Sequence, residues 1–300
     1  MEQITLSNQI VQYVFTGITV GSIYALVALG FNIIYNATEV INLAQGEFVM
    51  LGGLIMVFFI TTLNLPLVVG FILTVLVVTA IGALFERLAI YPLEGASVLT
   101  LIIITIAASI FIQGLAMGIW GKDPYDLPAF SGRTPISFLG AMIQPQYLWI
   151  LGITIVVVIL LNLFFGRTMV GKAMAACADN PEAASLVGIN VRMMVLFSFA
   201  LSAAIGSIAG IVITPVSLME FDRGPMLAIK GFAAAVLGGL GSFGGAVFAG
   251  FLLGVIESLF AGLVHSGFKD AAGLIVLLIV LFIRPSGLFG STEVTKIKKF

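Results

Sequence analysis

Of 300 residues, 60% are hydrophobic and only 9% charged, and the mean hydropathy is +1.21; a water-soluble domain carries about a quarter charged residues, so lipid has to be the solvent and the chain a polytopic membrane protein. The net charge of −1 leaves no basic stripe for a nucleic acid. A single cysteine, Cys177, and a single histidine, His265, rule out an intrachain disulfide and argue against a His/Cys metal centre, while leaving carboxylate sites open; no metal and no cofactor are expected.

Spans need about 20 mostly apolar residues. Candidates fall at 11–35, 48–63, 66–85, 98–120, 147–165, 193–217, 227–241, 244–264 and 270–284. The start, MEQITLSNQ, has no basic region and no cleavage box, so the first stretch is expected to be a retained span rather than a signal peptide. The second opens on Asn42, Gln45, Gly46 and Glu47. A break at these amides and the glycine would line a cavity, where irregular backbone is tolerated. The alternative is an interfacial helix start with Glu47 at the positive end of the dipole. Asn32, Thr105, Ser109 and Gln113 are further polar groups inside spans, each readable as an interhelical hydrogen bond. GxxxG pairs at Gly17/Gly21, Gly114/Gly118, Gly206/Gly210, Gly241/Gly245 and Gly250/Gly254 let helix backbones approach closely and favour a compact bundle.

Segment 121–146 carries four prolines and reads as an ordered loop, the largest on the outside. Segment 166–192, GRTMVGKAMAACADNPEAASLVGINVR, is a polar island between apolar stretches. Within it Asn180 is a good N-cap, Pro181 suits the first helical position, Glu182 lies in the first turn and Gly188 suits a left-handed C-cap. That is a helix of roughly two turns, about 10 Å long. It is marginal alone in water, and it either docks against a partner or stays a solvated loop helix. The preceding Gly166 to Ala173 nearly spells a phosphate-binding GxxxxGK[ST] loop. It ends in Ala, follows a membrane helix rather than a strand, and reads as a basic juxtamembrane turn that binds no ATP.

The stretch 227–264 runs through GGLGSFGG (238–245), so it crosses twice or forms a broken, re-entrant pair. NLAQGEFVMLGG (42–53) and IKGFAAAVLGG (229–239) share a polar entry and a final Leu-Gly-Gly; this is either the opposed repeat of many transporters or a coincidence of short strings. Glu257 reads as the one deep acid. It serves a pathway or its gating, or it is a packing residue that fixes helix register. Nothing resembles a nucleophile elbow, so no catalytic group is expected.

With the island in the cytoplasm, eight Lys or Arg residues lie inside and five outside (Lys122, Arg133, Arg223, Lys230 and Lys269). The bias follows the positive-inside rule and puts the N-terminus outside and the C-terminus, with its KIKK tail, inside.

Glu182-Ala183-Ala184-x-x-x-Gly188 on a cytoplasmic loop resembles the EAA loop of ABC importer permeases, and CADNPEAASLVGINV looks like the variant of branched-chain amino acid permeases of the LivH type. It lacks the Ile-x-Leu-Pro ending of many such loops. GSIYALVALGFNIIYNATEVINLAQGEF (21–48), TIAASIFIQ (105–113), KGFAAAVLGGLGSFGGAVFAGFLLGVIES (230–258) and RPSGLFG (284–290) resemble the family's segments in order.

The resemblance implies an all-α bundle of eight or nine spans with broken or re-entrant helices. It implies one permease domain over 1–300, in the inner membrane. The expected partners are two ABC ATPase subunits, a second homologous permease and an extracytoplasmic binding protein that delivers branched-chain or related apolar amino acids. Pro181, Glu182, Ala183, Ala184, Leu186 and Gly188 would form the coupling helix. Asn42, Gln45, Gly46 and Glu47 would flank the pathway with Gly238, Gly239, Gly241 and Glu257. Alternative readings are a urea, short-amide or other amino-acid permease, an ion-coupled secondary transporter using Glu47 and Glu257, and a membrane scaffold.

Overall fold

The computed structural model describes residues 6–93, 95–138 and 141–290; the KIKK tail lies outside the described residues. Eleven α-helices lie among them: α1 (Leu6–Thr38), α2 (Gln45–Val57), α3 (Leu67–Phe85), α4 (Val98–Trp120), α5 (Pro145–Arg167), α6 (Met169–Asp179), α7 (Pro181–Leu186), α8 (Val191–Ile213), α9 (Arg223–Gly238), α10 (Phe243–Leu263) and α11 (Lys269–Ile283). Two π-helical turns, Phe58–Thr62 and Glu86–Ile90, extend α2 and α3. Eight helical segments are long and apolar enough to cross a membrane, and the chain is a multi-pass membrane protein. The sixteen-residue α9 is not among them, which leaves the stretch from 227 to 264 as one short helix followed by one long one.

Local chemistry sets the helix boundaries. Side-chain oxygens of Ser97, Thr168, Asn180, Asn190 and Ser242 accept hydrogen bonds from backbone N–H groups at the starts of α4, α6, α7, α8 and α10. Each of these satisfies one donor that a helix start leaves without an intrahelical partner. Pro145, one of the four loop prolines, is the first residue of α5. The remainder of that loop is not wholly irregular: β1 (Ile136–Phe138) and β2 (Ala141–Ile143) form an antiparallel hairpin with Ile136 opposite Ile143. The amide of Gln12 closes on it, donating to the Met142 carbonyl at 3.0 Å and accepting from the Met142 N–H at 2.8 Å.

The helices group into two compact units. The first comprises the described parts of residues 1–28, 128–154 and 230–300. Here α1 and α10 meet through glycines: a Cβ on Gly17 would lie 2.6 Å from the Val255 Cα, and one on Gly21 would lie 2.7 Å from the Phe251 Cα. Gly250 repays the approach, with no room for a Cβ beside the Ala25 backbone. After α11, the chain turns back so that Leu288 N–H donates to the Leu237 carbonyl at 2.8 Å and Phe289 N–H to the Gly238 carbonyl at 3.1 Å.

The second unit comprises residues 29–127 and 155–229. At its centre is α2, in which every residue is buried. Gly52 of α2 lies against the backbone at Ser207 of α8, and Gly210 of α8 against the carbonyl of Val49. Phe85, in this core with Phe48 and Phe199, stacks edge-on to Phe48 at 6.1 Å and tilts onto Phe199 at 5.7 Å. On α3 and α4, by contrast, large apolar side chains such as Leu76, Leu99, Ile110 and Phe111 face outward, as lipid-facing surfaces do.

Candidate functional site

The polar island folds as two helices rather than as one helix after a turn. The lookalike of a phosphate loop lies at the entry to α6, where the Thr168 hydroxyl accepts from Gly171 N–H at 3.0 Å. The alanine-rich run from Ala173 to Ala178 then continues as helix, because alanine costs no side-chain entropy there. Cys177, on the buried side of α6, has its thiol pushed up by burial, which fits a small inert residue.

The second helix, α7, is the one the caps predicted. Asn180 Oδ1 accepts from Ala183 N–H at 2.9 Å, and Pro181 takes the first position. At the exit Gly188 N–H donates to the Ser185 carbonyl at 3.0 Å and Ile189 N–H to the Ala184 carbonyl at 3.1 Å. This is a Schellman ending, and Gly188 adopts the positive φ of +87° that it requires. Ala184 is buried, while Leu186 and Val187 are 88% and 77% exposed. The helix is therefore pinned at both ends and presents two aliphatic side chains outward.

In the unit built around α2, the residues from Asn42 to Glu47 are drawn into a polar seam. Leu43 N–H donates to Thr105 Oγ1 at 3.2 Å. The Ser109 hydroxyl donates to Glu47 Oε1 at 2.7 Å, and Gln113 Nε2 donates to the same oxygen at 3.0 Å. Thr105, Ser109 and Gln113 recur every fourth residue, so they share one face of α4. Gln45 exchanges hydrogen bonds with Ser202: its Oε1 lies 2.6 Å from the Ser202 hydroxyl and its Nε2 donates to the Ser202 carbonyl at 3.3 Å. Gly46 packs against the carbonyl of Gly224, which leaves no space for a side chain. Gln45 and Gly46 are thus committed to packing. Asn42 Nδ2 and Glu47 Oε2, both fully buried, have no hydrogen-bond partner among the described residues.

The other four predicted residues belong to the first unit. Gly238, Gly239 and Gly241 make the turn between α9 and α10. Gly239 has φ +99° and Gly241 φ +90°. Glu257 faces a cation: Lys230 of α9 donates to its Oε1, and the Tyr24 hydroxyl donates to its Oε2 at 2.8 Å. Lys230 also pairs with Asp270 Oδ1 at 3.0 Å. One point therefore ties α1, α9, α10 and α11.

Two sequence expectations need correction here. Lys230 does not belong with the external loop charges, because its side chain is only 5% exposed inside a helical core. Nor is Glu257 the one deep acid: Glu47 and Glu86 are as deeply buried. The short seam residues of α4 looked interchangeable with any interhelical polar contact, and only the fold brings two of them onto one carboxylate.

Comparison with known proteins gives the family. Residues 13–284 match the family model described as "Branched-chain amino acid transport system / permease component". The chain is 33% identical to the high-affinity branched-chain amino acid transport system permease protein LivH of Salmonella typhimurium, over 95% of this chain and 97% of that one. It is likewise 33% identical to the permease protein BraD of Pseudomonas aeruginosa, with the same coverage. The probable permease LivH of Methanocaldococcus jannaschii is 32% identical over 90% of this chain and 89% of its own. A match across nearly the whole chain, on a helical fold with eight described segments long and apolar enough to cross a membrane, makes this chain a member of the branched-chain amino acid transport permease family.

Proposed function

We propose that the chain is the membrane-spanning permease of an ATP-driven ABC importer, and that it translocates branched-chain or related apolar amino acids handed over by an extracytoplasmic binding protein. The observation that carries the coupling half of this reading is α7, a six-residue helix capped at both ends with Leu186 and Val187 exposed. A helix this short gains little by itself. Fixed by its caps, it suits insertion into a cleft of an ATPase as a rigid lever. Pro181, Glu182, Ala183, Ala184, Leu186 and Gly188 form that coupling element, and ATP-driven closure of the ATPases moves it to switch the pathway between the two sides.

Permease, ATPases and binding protein form a complex in the inner membrane. It holds two ATPase subunits and a second homologous permease, so that two coupling helices meet a two-subunit motor. The N-terminus lies outside, with α7 and the C-terminus in the cytoplasm. The single permease domain spans 1–300. Segment 42–47 flanks the pathway. The names of the relatives favour an amino acid over urea or a short amide as cargo. An ion-coupled mechanism leaves α7 without a task.

The test is co-expression with the neighbouring genes, purification in mild detergent and mass spectrometry of what co-purifies. Two ATPases and a second permease are expected, and Glu182→Lys should release the ATPases. Recovery of the chain alone, under conditions that keep other ABC complexes whole, would overturn the coupling role.

A further inference from the structure

Of the eight residues assigned to the pathway, two keep polar capacity that the protein does not use. Glu47 Oε1 is saturated by Ser109 and Gln113, while Glu47 Oε2 has no partner among the described residues. Asn42 Oδ1 accepts from Ala44 N–H at 3.1 Å, which fixes the orientation of the amide, and Asn42 Nδ2 has no partner among the described residues. Both side chains are fully buried, where an unpaired charged or polar atom is costly. The two atoms are also opposite in sense: one accepts and the other donates. They lie on one short segment that enters α2 through turn hydrogen bonds, Gln45 N–H to Asn42 O at 3.1 Å and Glu47 N–H to Ala44 O at 3.0 Å.

From this arrangement we infer that Glu47 Oε2 is the acceptor for the ammonium group of a transported α-amino acid, and that Asn42 Nδ2 donates to its carboxylate. A zwitterion needs both senses of hydrogen bond when it leaves water. The groups beside these two atoms are already engaged: Gln45 on Ser202, and the Ser109 hydroxyl and Gln113 Nε2 on Oε1. The cover of the site is backbone. Gly224, at the start of α9, lies over the carboxylate, and a Cβ there would stand 2.5 Å from Glu47 Cδ. In this arrangement the first turn of α9 covers Oε2, and an amino acid reaches it only when that turn moves aside.

The inference rests on the amino-acid reading of the cargo, and the experiment separates the two. The co-purified importer is placed in nanodiscs without binding protein, and three ligands compete with radiolabelled L-leucine. These are leucine itself, 4-methylpentanoate (no ammonium) and leucinol (no carboxylate). In the unmodified complex leucine should outcompete 4-methylpentanoate by about tenfold or more, the scale of a lost charge-assisted hydrogen bond. In Glu47→Gln that ratio should fall towards one, while the ratio of leucine to leucinol is kept. Asn42→Asp should show the mirror result. A general packing defect would weaken all three ligands alike. If Glu47→Gln does not assemble, Glu47→Asp must weaken leucine and leave 4-methylpentanoate unchanged. An unaltered ratio in the assembled variants, or no discrimination by the unmodified complex, overturns the inference and leaves the cargo reading standing. A complex that binds no amino acid in nanodiscs and, with its binding protein, imports none into sealed vesicles overturns the cargo reading itself.

Discussion

Lys230 and Glu257 illustrate what a buried charge costs and what it specifies. The lysine is enclosed by helices, and it meets one fully buried carboxylate and one half-exposed one, Asp270. Desolvation of both partners offsets much of their attraction, so the pair adds little net stability, yet loss of one member leaves a bare charge in the core. Lys230→Met is therefore expected to destabilise the purified chain by about 3–5 kcal/mol. The double variant Lys230→Met/Glu257→Gln should recover most of that loss. Thermal unfolding in one detergent measures both, and equal losses in the single and double variants would show that the pair does not act as a unit. Glu257 was legible in the sequence, because an acid between Ile256 and Ser258 in an apolar run has few bland explanations. Its partner was not legible: Lys230 is 27 residues away, next to glycines that resemble a loop edge, and only the packing of α9 on α10 joins them. The same holds for Glu47, whose donors come from 62 and 66 residues along the chain.

Helix α7 was legible almost to the residue, because its signals are local: an Asn cap, a Pro at the first position and a Gly at the exit. Two substitutions test whether those signals matter for coupling. Asn180→Ala removes one cap bond and should cost α7 about 1 kcal/mol, seen as weaker co-purification of the ATPases. Gly188→Val forces a branched side chain into φ +87° and should uncouple substrate-stimulated ATP hydrolysis, whereas Gly188→Asn should keep it, since Asn tolerates that region. Equal activity of both would mean that the exit geometry is unimportant. The neighbouring α6 was less legible, because its N-cap Thr168 lies inside a near-match to a nucleotide loop.

Among the glycine pairs, sequence spacing did not separate those in use from those that are open. Gly21 lies under the α10 backbone, while Gly118 of α4 has no described atom within 4 Å of where its Cβ would stand. Gly21→Ala should therefore lower the melting temperature, and Gly118→Ala should hold or raise it through helix propensity, worth up to about 1 kcal/mol. A shift of the same sign in both would contradict the packing of α1 on α10.

For the molecule as a whole, most apolar runs located the spans to within a few residues, because a bilayer allows few lengths of helix; the run at 227–241 is too short to be one, and the span expected at 66–85 continues to Leu93. Which helix is enclosed and which faces lipid was not legible in the same way. Both α2 and α3 are strongly apolar, yet α2 is buried throughout and α3 is largely outward-facing. The difference lies in glycines and polar groups whose partners are remote. That remoteness has a consequence for how the protein is made. Gln45 leaves the ribosome 157 residues before the Ser202 that holds it. At about 5–20 residues per second, that gap is roughly 8–30 s of synthesis. Over that interval α2 waits without α8, its amide unanswered, so its settling into the core is a late event in biogenesis although its translation is an early one.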